Sequence, residues 1–272
     1  MALFLVPPSL GASRAEARAE LLGDTLSLGR DAGEQVTVAV AADYEALERA
    51  VRSAEAELVW APSAVCAMLA ESPGRPVRAV LRAVRRGRSA YHSAIVARPD
   101  EGRSVDALRN VRAGWVDPLS AGGYLLAQSY LRQKGIEPNI AFSQQTFLGS
   151  HRAVIDALAE GQIDVGAVSA PSTDEEEVQA AMRFYAGRPG VRLAILAITE
   201  AIPNDALIVT AAMSIDDGER LAGALAPTNG RRAPSLLLTA MEADRLERTT
   251  LDDYRAVRGL LTSRRWSEPP RR

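Results

Sequence analysis

Residues Trp115–Tyr124 read WVDPLSAGGY, and residues Gly149–His151 read GSH. In both places a turn of small and hydroxyl-bearing residues follows an apolar, strand-like run and opens a helix-like run. The first turn of a helix has unpaired backbone N–H groups and the positive end of the helix dipole, which together attract anions. The region ends in a further strand within Gly161–Val168, GQIDVGAV. We therefore expect two anion-accepting turns in one α/β region.

Strand-like and helix-like patterns alternate along the rest of the chain. Short apolar runs such as Leu3–Val6, Gln35–Ala41 and Glu57–Trp60 predict strands, and helix-like stretches such as Ser13–Leu28 separate them. Near the end of the chain, Arg245–Leu261 is expected to form one helix. This alternation indicates an α/β fold with mixed, mostly parallel sheets and helices on both faces.

Two crossings of the chain predict a division into lobes. The strand Ser93–Arg98 is expected to carry the chain out of a first lobe, and Val191–Ile198 is expected to return it. The first lobe would then contain residues 1–90 and 196–272, and the second would contain residues 91–195. A ligand would bind in the cleft at the hinge, where opening and closing is a hinge motion.

The composition is that of an ordinary globular protein, with 272 residues, 47% apolar and 24% charged, and a formal net charge of −2. This charge gives no overall attraction to nucleic acid or to an anionic membrane. Locally, the segment between residues 75 and 112 contains ten arginines but only three acidic residues, Asp100, Glu101 and Asp106. Two interpretations stay open: a solvated surface, or a field that attracts an anionic ligand or an acidic partner.

The sequence also excludes several classes of site and raises the question of location. The single cysteine, Cys66, excludes an internal disulfide, and no metal-ligand cluster, phosphate-binding loop or nucleophile elbow is present. No run approaches the ~18–20 apolar residues of a membrane span. The start, MALFLVPP, lacks the basic region and the apolar length of a signal peptide. We expect a periplasmic or extracellular protein if an export signal has been removed, and a cytoplasmic one if Met1 is the native start.

Four further segments extend the pattern over most of the chain: AADYEAL (41–47), LVWAP (58–62), YHSAIVAR (91–98) and AIPND (201–205). Together with the two turns, they resemble the phosphate, phosphite and phosphonate substrate-binding family of ABC transporters, over about residues 3–210. No single motif is specific, but six in the right order and spacing form a strong signal of fold. The resemblance implies a two-lobed type II periplasmic-binding-protein fold.

The resemblance also implies which residues face the cleft. They are hydroxyls and backbone N–H groups at the two helix starts, a histidine, and aromatic side chains near the lobe crossing or at the ends of first-lobe elements. Some of them have structural uses as well, because Ser120 would cap its helix with or without a ligand. The candidates are Tyr44, Trp60, Tyr91, Ser120, Ala121, Gly122, Ser150 and His151.

The chain departs from the family pattern in three places. A helix turn that usually has three hydroxyl residues reads Ser120-Ala121-Gly122, Val65 stands in place of a cleft tyrosine, and Ser169 stands in place of an acidic residue. Each buried hydrogen bond that an anion fails to make costs about 1–3 kcal/mol. The missing donors therefore favour an anion that is larger, less charged or more apolar than inorganic phosphate.

The leading hypothesis is a non-catalytic solute-binding protein that closes around a small anionic, phosphonate- or phosphate-like ligand and presents it to an ABC permease. It requires no metal and no cofactor. One alternative is a cytoplasmic enzyme on the same fold, in which His151 with Asp205 or Glu200 would form an acid–base pair. Another is a ligand-sensing module that signals to a cytoplasmic partner. The fold alone does not separate these functions.

Overall fold

The computed structural model describes residues 2–8, 17, 20, 36–71, 77–99, 102, 104–228 and 235–263. Apart from residues 17 and 20, the expected helix Ser13–Leu28 lies outside the described residues. The chain forms two compact units. The first contains the described residues up to Ala90 and the segment Pro203–Ala256, and the second contains Tyr91–Ile202 and the described residues from Val257 onward.

The regular elements follow one another in the expected alternation. The described strands are β1 (Ala2–Val6), β2 (Val36–Val40), β3 (Leu58–Ala61), β4 (Val77–Val84), β5 (Ala90–Ala97), β6 (Val111–Trp115), β7 (Phe142–Phe147), β8 (Val165–Ala170), β9 (Ala194–Ile198), β10 (Ile202–Pro203), β11 (Ala206–Thr210) and β12 (Arg245–Thr249). The described α-helices are α1 (Tyr44–Arg52), α2 (Ser63–Ala70), α3 (Leu126–Gln133), α4 (Pro138–Ala141), α5 (His151–Ala159), α6 (Glu175–Ala186), α7 (Ile215–Leu225), α8 (Ser235–Met241) and α9 (Arg255–Ser263). A π-helical turn, Ala121–Leu125, runs into α3, and 3-10 turns span Val105–Ala107 and Leu251–Tyr254.

The sheet of the first unit has the strand order β12–β4–β11–β3–β1–β2. Strand β1 pairs in parallel with β2 and β3, whereas β11 pairs antiparallel with β3 and β4, and β12 pairs antiparallel with β4. Strands β3 and β11 are buried along their whole length, and all their residues except Thr210 are apolar. The core of this unit includes Phe4, Trp60, Leu81, Leu207, Leu237 and Met241.

The sheet of the second unit has the order β10–β5–β8–β6–β7, and β9 also pairs with β5. Strand β5 is antiparallel to β8 and β9, while β6 is parallel to both β7 and β8. Parallel neighbours have their carboxyl ends at the same edge of a sheet, so the segments that follow β6, β7 and β8 begin side by side. The core of this unit includes Val116, Ile155, Leu158, Ile163, Val178 and Met182.

Both sheets are mixed, as the sequence predicts, but the antiparallel share is larger than the alternating pattern alone indicates. The parallel strands β6, β7 and β8 are linked by helical crossovers through α3 to α5. The antiparallel pairs involve β5, β9, β11 and β12. The direction of a strand in these pairs depends on where the chain enters and leaves each unit. Local periodicity in the sequence does not predict this.

The expectation of one continuous helix over Arg245–Leu261 is wrong. The first five residues form strand β12, in which Glu247 makes an ion pair with Arg82 on β4 at 2.6 Å. The charged residues at the start of this segment therefore belong to the outer strand of a sheet. A capping box of Thr250 and Asp253 then starts the 3-10 turn that leads into α9.

Asp205, just before β11, joins several elements of the first unit. Its carboxylate accepts hydrogen bonds from Arg85 at 2.5 and 2.9 Å and another from the indole N–H of Trp60. Arg85 also donates to the carbonyl of Met241 in α8 at 2.9 Å. Burial by itself raises the pKa of Asp205, but the charge of Arg85 and the hydrogen bonds from Arg85 and Trp60 outweigh it and hold the pKa below its ordinary value. Asp205 is therefore an ionised structural carboxylate.

We predict that Asp205→Ala lowers the free energy of unfolding by about 3–5 kcal/mol, because it removes the carboxylate that balances the charge of Arg85 in a partly buried ion pair. A carboxylate with a lowered pKa stabilises the fold above its unfolded-state pKa, so this contribution should disappear as the pH falls through the acidic range. Urea unfolding at neutral and acidic pH measures both effects.

The control for this substitution is Glu176→Ala, which removes the exposed partner of Arg183. An exposed pair contributes about 1 kcal/mol or less, so the control should unfold almost as the wild type does. Equal losses in the two variants at neutral pH would contradict the structural role of Asp205.

Candidate functional site

Six of the eight candidate residues lie in the second unit, and two lie in the first. Five of the six follow the carboxyl ends of the parallel strands β6 and β7, and the sixth lies near the start of β5. The six are Tyr91, Ser120, Ala121, Gly122, Ser150 and His151, and the other two are Tyr44 and Trp60.

The first turn, after β6, is built by local hydrogen bonds. The carboxylate of Asp117 accepts from the backbone N–H of Leu119 at 2.7 Å, and the carbonyl of Asp117 accepts from the N–H of Ser120 at 2.9 Å. The hydroxyl of Ser120 then accepts from the N–H of Gly123 at 3.1 Å and caps the helix. The N–H groups of Ala121 and Gly122 lie in the first turn of the helix, where the helix itself provides no carbonyl to accept from them. They are therefore placed to donate to an anion.

This helix opens with a π-helical turn. The N–H of Leu125 bonds to the carbonyl of Ser120 at 3.0 Å, and the N–H of Leu126 bonds to the carbonyl of Ala121. The wider turn accompanies close packing at Gly123, where a Cβ atom would overlap the side chain of Val116. The glycine is therefore required by the packing of the turn against the end of β6. Such turns occur often at functional sites.

The second turn, after β7, has the same construction. Gly149 has a φ of +84°, a value that favours glycine, and Ser150 follows it as the helix cap. The hydroxyl of Ser150 accepts from the N–H of Ala153 at 3.2 Å. The N–H groups of His151 and of the next residue therefore lie in the first turn of α5, where no carbonyl of the helix can accept from them.

Backbone hydrogen bonds tie the second turn to the strand that carries the first. The N–H of Leu148 donates to the carbonyl of Trp115, and the N–H of Gly149 donates to the carbonyl of Val116, both at 2.8 Å. Two helix N-termini are thus anchored to one strand end at one edge of the sheet. Fixed N–H dipoles at neighbouring helix starts are suited to an oxyanion.

His151, the first residue of α5, is only 6% exposed. Its ring stacks on Tyr185, with the centroids 4.9 Å apart, and its Nε2 atom lies 3.3 Å from the hydroxyl oxygen of Ser169. Burial lowers the pKa of His151 to about 4. The imidazole is therefore neutral near pH 7 and acts through hydrogen bonding rather than through charge.

Strand register brings further residues to the first turn. Ser93 pairs with Ser169 across β5 and β8, and the buried hydroxyl of Ser93 donates to the carbonyl of Gly122 at 2.6 Å. A Cβ atom on Gly122 would lie 3.0 Å from a ring carbon of Tyr91 and would overlap the hydroxyl of Ser169. Tyr91, Gly122 and Ser169 are therefore immediate neighbours, which places one end of β5 and β8 against the helix start.

Sequence reasoning did not identify Ser93, Ser169 or Tyr185 as members of this group. Ser93 had a usable signal, because it lies two residues after Tyr91 and therefore on the same face of β5. Ser169 was conspicuous only as a departure from the family pattern. Tyr185 carried no signal, since its stacking on His151 depends on how α5 and α6 pack.

The two candidates in the first unit are both buried. Tyr44, 3% exposed, is the first residue of α1, after the capping residue Asp43. Trp60, 5% exposed, belongs to the apolar core and donates its indole N–H to Asp205. Val65, at the position of the family tyrosine, is fully buried in α2.

An acid–base pair of His151 with Asp205 or Glu200 finds no support. The carboxylate of Asp205 is engaged by Arg85 and Trp60, and Glu200 is an exposed residue. Across the described ranges, His, Cys, Asp and Glu side chains form no group of three or more that could hold a metal ion. Within that same part of the chain, none of the helices has both the length and the apolar character needed to cross a membrane.

Several arginines of the basic segment have acidic partners within their own unit. Arg82 pairs with Glu247, and Arg112 pairs with Asp164 at 2.8 Å. Arg98 approaches the same Asp164 at 3.8 Å. These pairs favour a structural interpretation for this part of the segment over a field that attracts a ligand.

Comparison with known proteins agrees with this architecture. A family model described as ABC transporter, phosphonate, periplasmic substrate-binding protein matches residues 4–254. No curated protein sequence matches the chain.

Among solved structures, the fold is similar to a binding-protein component of an ABC phosphonate transporter from Pseudomonas aeruginosa, with a TM-score of 0.77, 18% identity, and coverage of 97% of this chain and 86% of that one. It is also similar to PhnD1 from Prochlorococcus marinus in complex with methylphosphonate, with a TM-score of 0.76, 17% identity, and coverage of 96% and 97%. A Xanthomonas citri protein bound to a chloride ion has a TM-score of 0.68, 18% identity, and coverage of 98% and 99%.

At these identities the solved structures establish the fold, while the family model extends over most of the chain. The predicted type II periplasmic-binding-protein fold and the predicted resemblance are both confirmed. The chain belongs to the family of periplasmic substrate-binding proteins of phosphonate ABC transporters, and its role is to bind a solute.

Proposed function

We propose that this protein binds a small phosphonate- or phosphate-like anion and delivers it to the permease of an ABC transporter. Membership of the family supplies the solute-binding role and indicates a periplasmic location. The relative from Prochlorococcus marinus is known in complex with methylphosphonate, which makes this compound the first ligand to test. The proposal concerns the ligand, its contacts and the permease.

The pair of helix N-termini anchored to the end of β6 is the observation that carries the proposal. Ser120 and Ser150 accept N–H groups from their own helices, so the proton of each hydroxyl stays available to an acceptor on the ligand. The first-turn N–H groups add donors that a tetrahedral oxyanion can use. An anion in this place would be held by fixed dipoles rather than by a cationic side chain.

The proposed ligand contacts are the hydroxyl of Tyr91, the cap and first N–H groups at Ser120, Ala121 and Gly122, and the second helix start at Ser150 and His151. Tyr44 is proposed as the contribution of the other lobe. Trp60 is left out because its indole N–H is bonded to Asp205.

We further propose that the two compact units, which divide between Ala90 and Tyr91 and between Ile202 and Pro203, are the two lobes that close around the ligand. Closure would create the surface that a permease recognises, so that only the loaded protein docks productively. A hinge motion of this kind is the usual response of two-lobed binding proteins to their ligands.

A thermal-shift panel tests the class of ligand. The panel contains methylphosphonate, phosphite, phosphate, sulfate, small carboxylates and aromatic acids. A ligand present at a hundred times its Kd stabilises the native state by about 2.7 kcal/mol and should raise Tm by a few degrees. We expect phosphonate-like anions to raise Tm selectively, and a response confined to carboxylates or aromatic acids would contradict the proposal.

The site itself is tested by the double substitution Ser120→Ala with His151→Ala. We expect this variant to lose binding of methylphosphonate in isothermal titration calorimetry while it keeps its circular dichroism spectrum. Loss of the Ser120 cap should lower stability by about 0.5–2 kcal/mol, which leaves the fold intact. Ser143→Ala, on an exposed position of β7, is the control and should bind as the wild type does. Wild-type affinity in the double variant would refute the site.

The neutrality of His151 gives a separate prediction. An NMR titration of its imidazole, assigned with a His92→Gln variant, should have a midpoint near pH 4. Because the pKa is lower in the folded protein than in the unfolded chain, stability should decrease as the pH falls from about 6.5 to 4, by up to about 3 kcal/mol. His151→Gln should flatten that part of the profile, and a midpoint near 6.5 would show that the imidazole is not buried as described.

A further inference from the structure

The space beside Gly122 is filled by a side chain from the neighbouring strand. A Cβ atom at position 122 would lie closer to the hydroxyl oxygen of Ser169 than real Cβ atoms approach any neighbour. The same Cβ atom would be 3.1 Å from the Cα atom of Ser169. The hydroxyl of Ser169 therefore stands where a side chain of residue 122 would begin.

Two contacts from the sheet fix this arrangement. Ser169 on β8 is the cross-strand partner of Ser93 on β5. The hydroxyl of Ser93 donates to the carbonyl of Gly122 at 2.6 Å and holds the helix start against the sheet. Ser169 is half-buried, so its hydroxyl lies at the helix start without being sealed in the core.

His151 orients the hydroxyl of Ser169. The Nε2 atom lies 3.3 Å from the Ser169 oxygen, while the buried Nδ1 atom has no partner among the described residues. A buried lone pair without a partner is better tolerated than a buried N–H without one. The proton is therefore assigned to Nε2, which donates to the Ser169 oxygen and leaves the Ser169 O–H free to donate elsewhere.

We propose that Ser169 binds the ligand and supplies, from strand β8, the hydroxyl donor that the helix turn lacks at Gly122, with His151 as its positioning residue. The inference rests on the proposed function of the site. It accounts for two departures from the family pattern with one exchange, in which the hydroxyl moves from the turn to the strand. A serine at 169 also avoids placing a carboxylate beside an anion.

This arrangement does not allow a hydroxyl-bearing side chain at position 122 and at position 169 at the same time. A serine at position 122 cannot coexist with Ser169 in its present place, because the new Cβ atom would overlap the Ser169 hydroxyl. Each single change should therefore impair binding, by overlap in one case and by loss of a donor in the other. Making both changes should return the hydroxyl to the turn.

The test measures the affinity for methylphosphonate and for inorganic phosphate by calorimetry. Ser169→Ala should weaken binding about 10- to 100-fold, as expected for the loss of one hydrogen bond to a charged ligand. Gly122→Ser should also weaken binding. The double variant Gly122→Ser with Ser169→Ala should bind more tightly than either single variant, once Tyr91 and the backbone of residue 169 shift by a few tenths of an ångström to accept the new Cβ atom.

The matched control is Gly122→Ala with Ser169→Ala, which differs from the rescuing variant by one oxygen atom. It should stay as weak as Ser169→Ala, and equal affinity in the two double variants would overturn the inference. Ser169→Thr, which keeps the hydroxyl, should bind better than Ser169→Ala. The imidazole NMR signals of His151 should shift in Ser169→Ala and on addition of methylphosphonate to the wild type; unchanged signals would argue against the positioning role.

The outcomes separate this inference from the function on which it rests. If the wild type binds neither anion, the proposed function fails. If the wild type binds, Ser120→Ala weakens binding and Ser169→Ala does not, the site stands and only the role of Ser169 is refuted. Circular dichroism and Tm of each variant show whether a loss of binding is a loss of fold.

Discussion

The parallel pairing of β6 with β7 and β8 is the constraint on which the candidate site depends. It brings three carboxyl strand ends to one edge, so that the turns after β6 and β7 and the last residues of β8 become neighbours. The bonds from Leu148 and Gly149 to the end of β6 then lock the second turn to the first. Without this register, each serine cap would be an isolated helix start with no common ligand to hold.

The site relies on neutral donors in a place of tight packing. Gly122 and Gly123 let the helix start approach the sheet, and the hydroxyls of Ser93 and Ser169 use the space that this approach leaves. Burial keeps His151 neutral, so it contributes a hydrogen bond without a charge. Fixed dipoles of this kind need no reorganisation when an anion arrives, which suits the solute-binding role of the family.

The first unit uses charge differently. Arg85 and Asp205 are ionised and paired, and Trp60 completes the hydrogen bonding of the carboxylate. These hydrogen bonds connect β3, the end of β4 and α8 to the start of β11. Because the carboxylate of Asp205 is occupied by them, it is not placed for acid–base catalysis. The family pattern AIPND thus has a structural explanation at Asp205, while the proposed anion contacts at the two helix starts lie in the other unit.

Much of the fold could be predicted from the sequence because the relevant physics is local. The helix starts at Ser120 and Ser150 follow from small, hydroxyl-bearing turns before apolar periodic runs, and both serines are the caps in the structure. The error at Arg245–Leu261 has a tertiary cause, because the strand there is selected by pairing with β4 rather than by its own periodicity.

The sequence by itself determined the α/β class, the family and the two helix starts, since each depends on order, spacing and capping along the chain. Only the tertiary structure decided that Ser169 packs against Gly122 and that burial keeps His151 neutral. It also decided that the indole N–H of Trp60 donates to Asp205. The physical reason is distance along the chain. Trp60 and Asp205 are 145 residues apart, and contacts of that kind arise from strand register and burial, which no local pattern records.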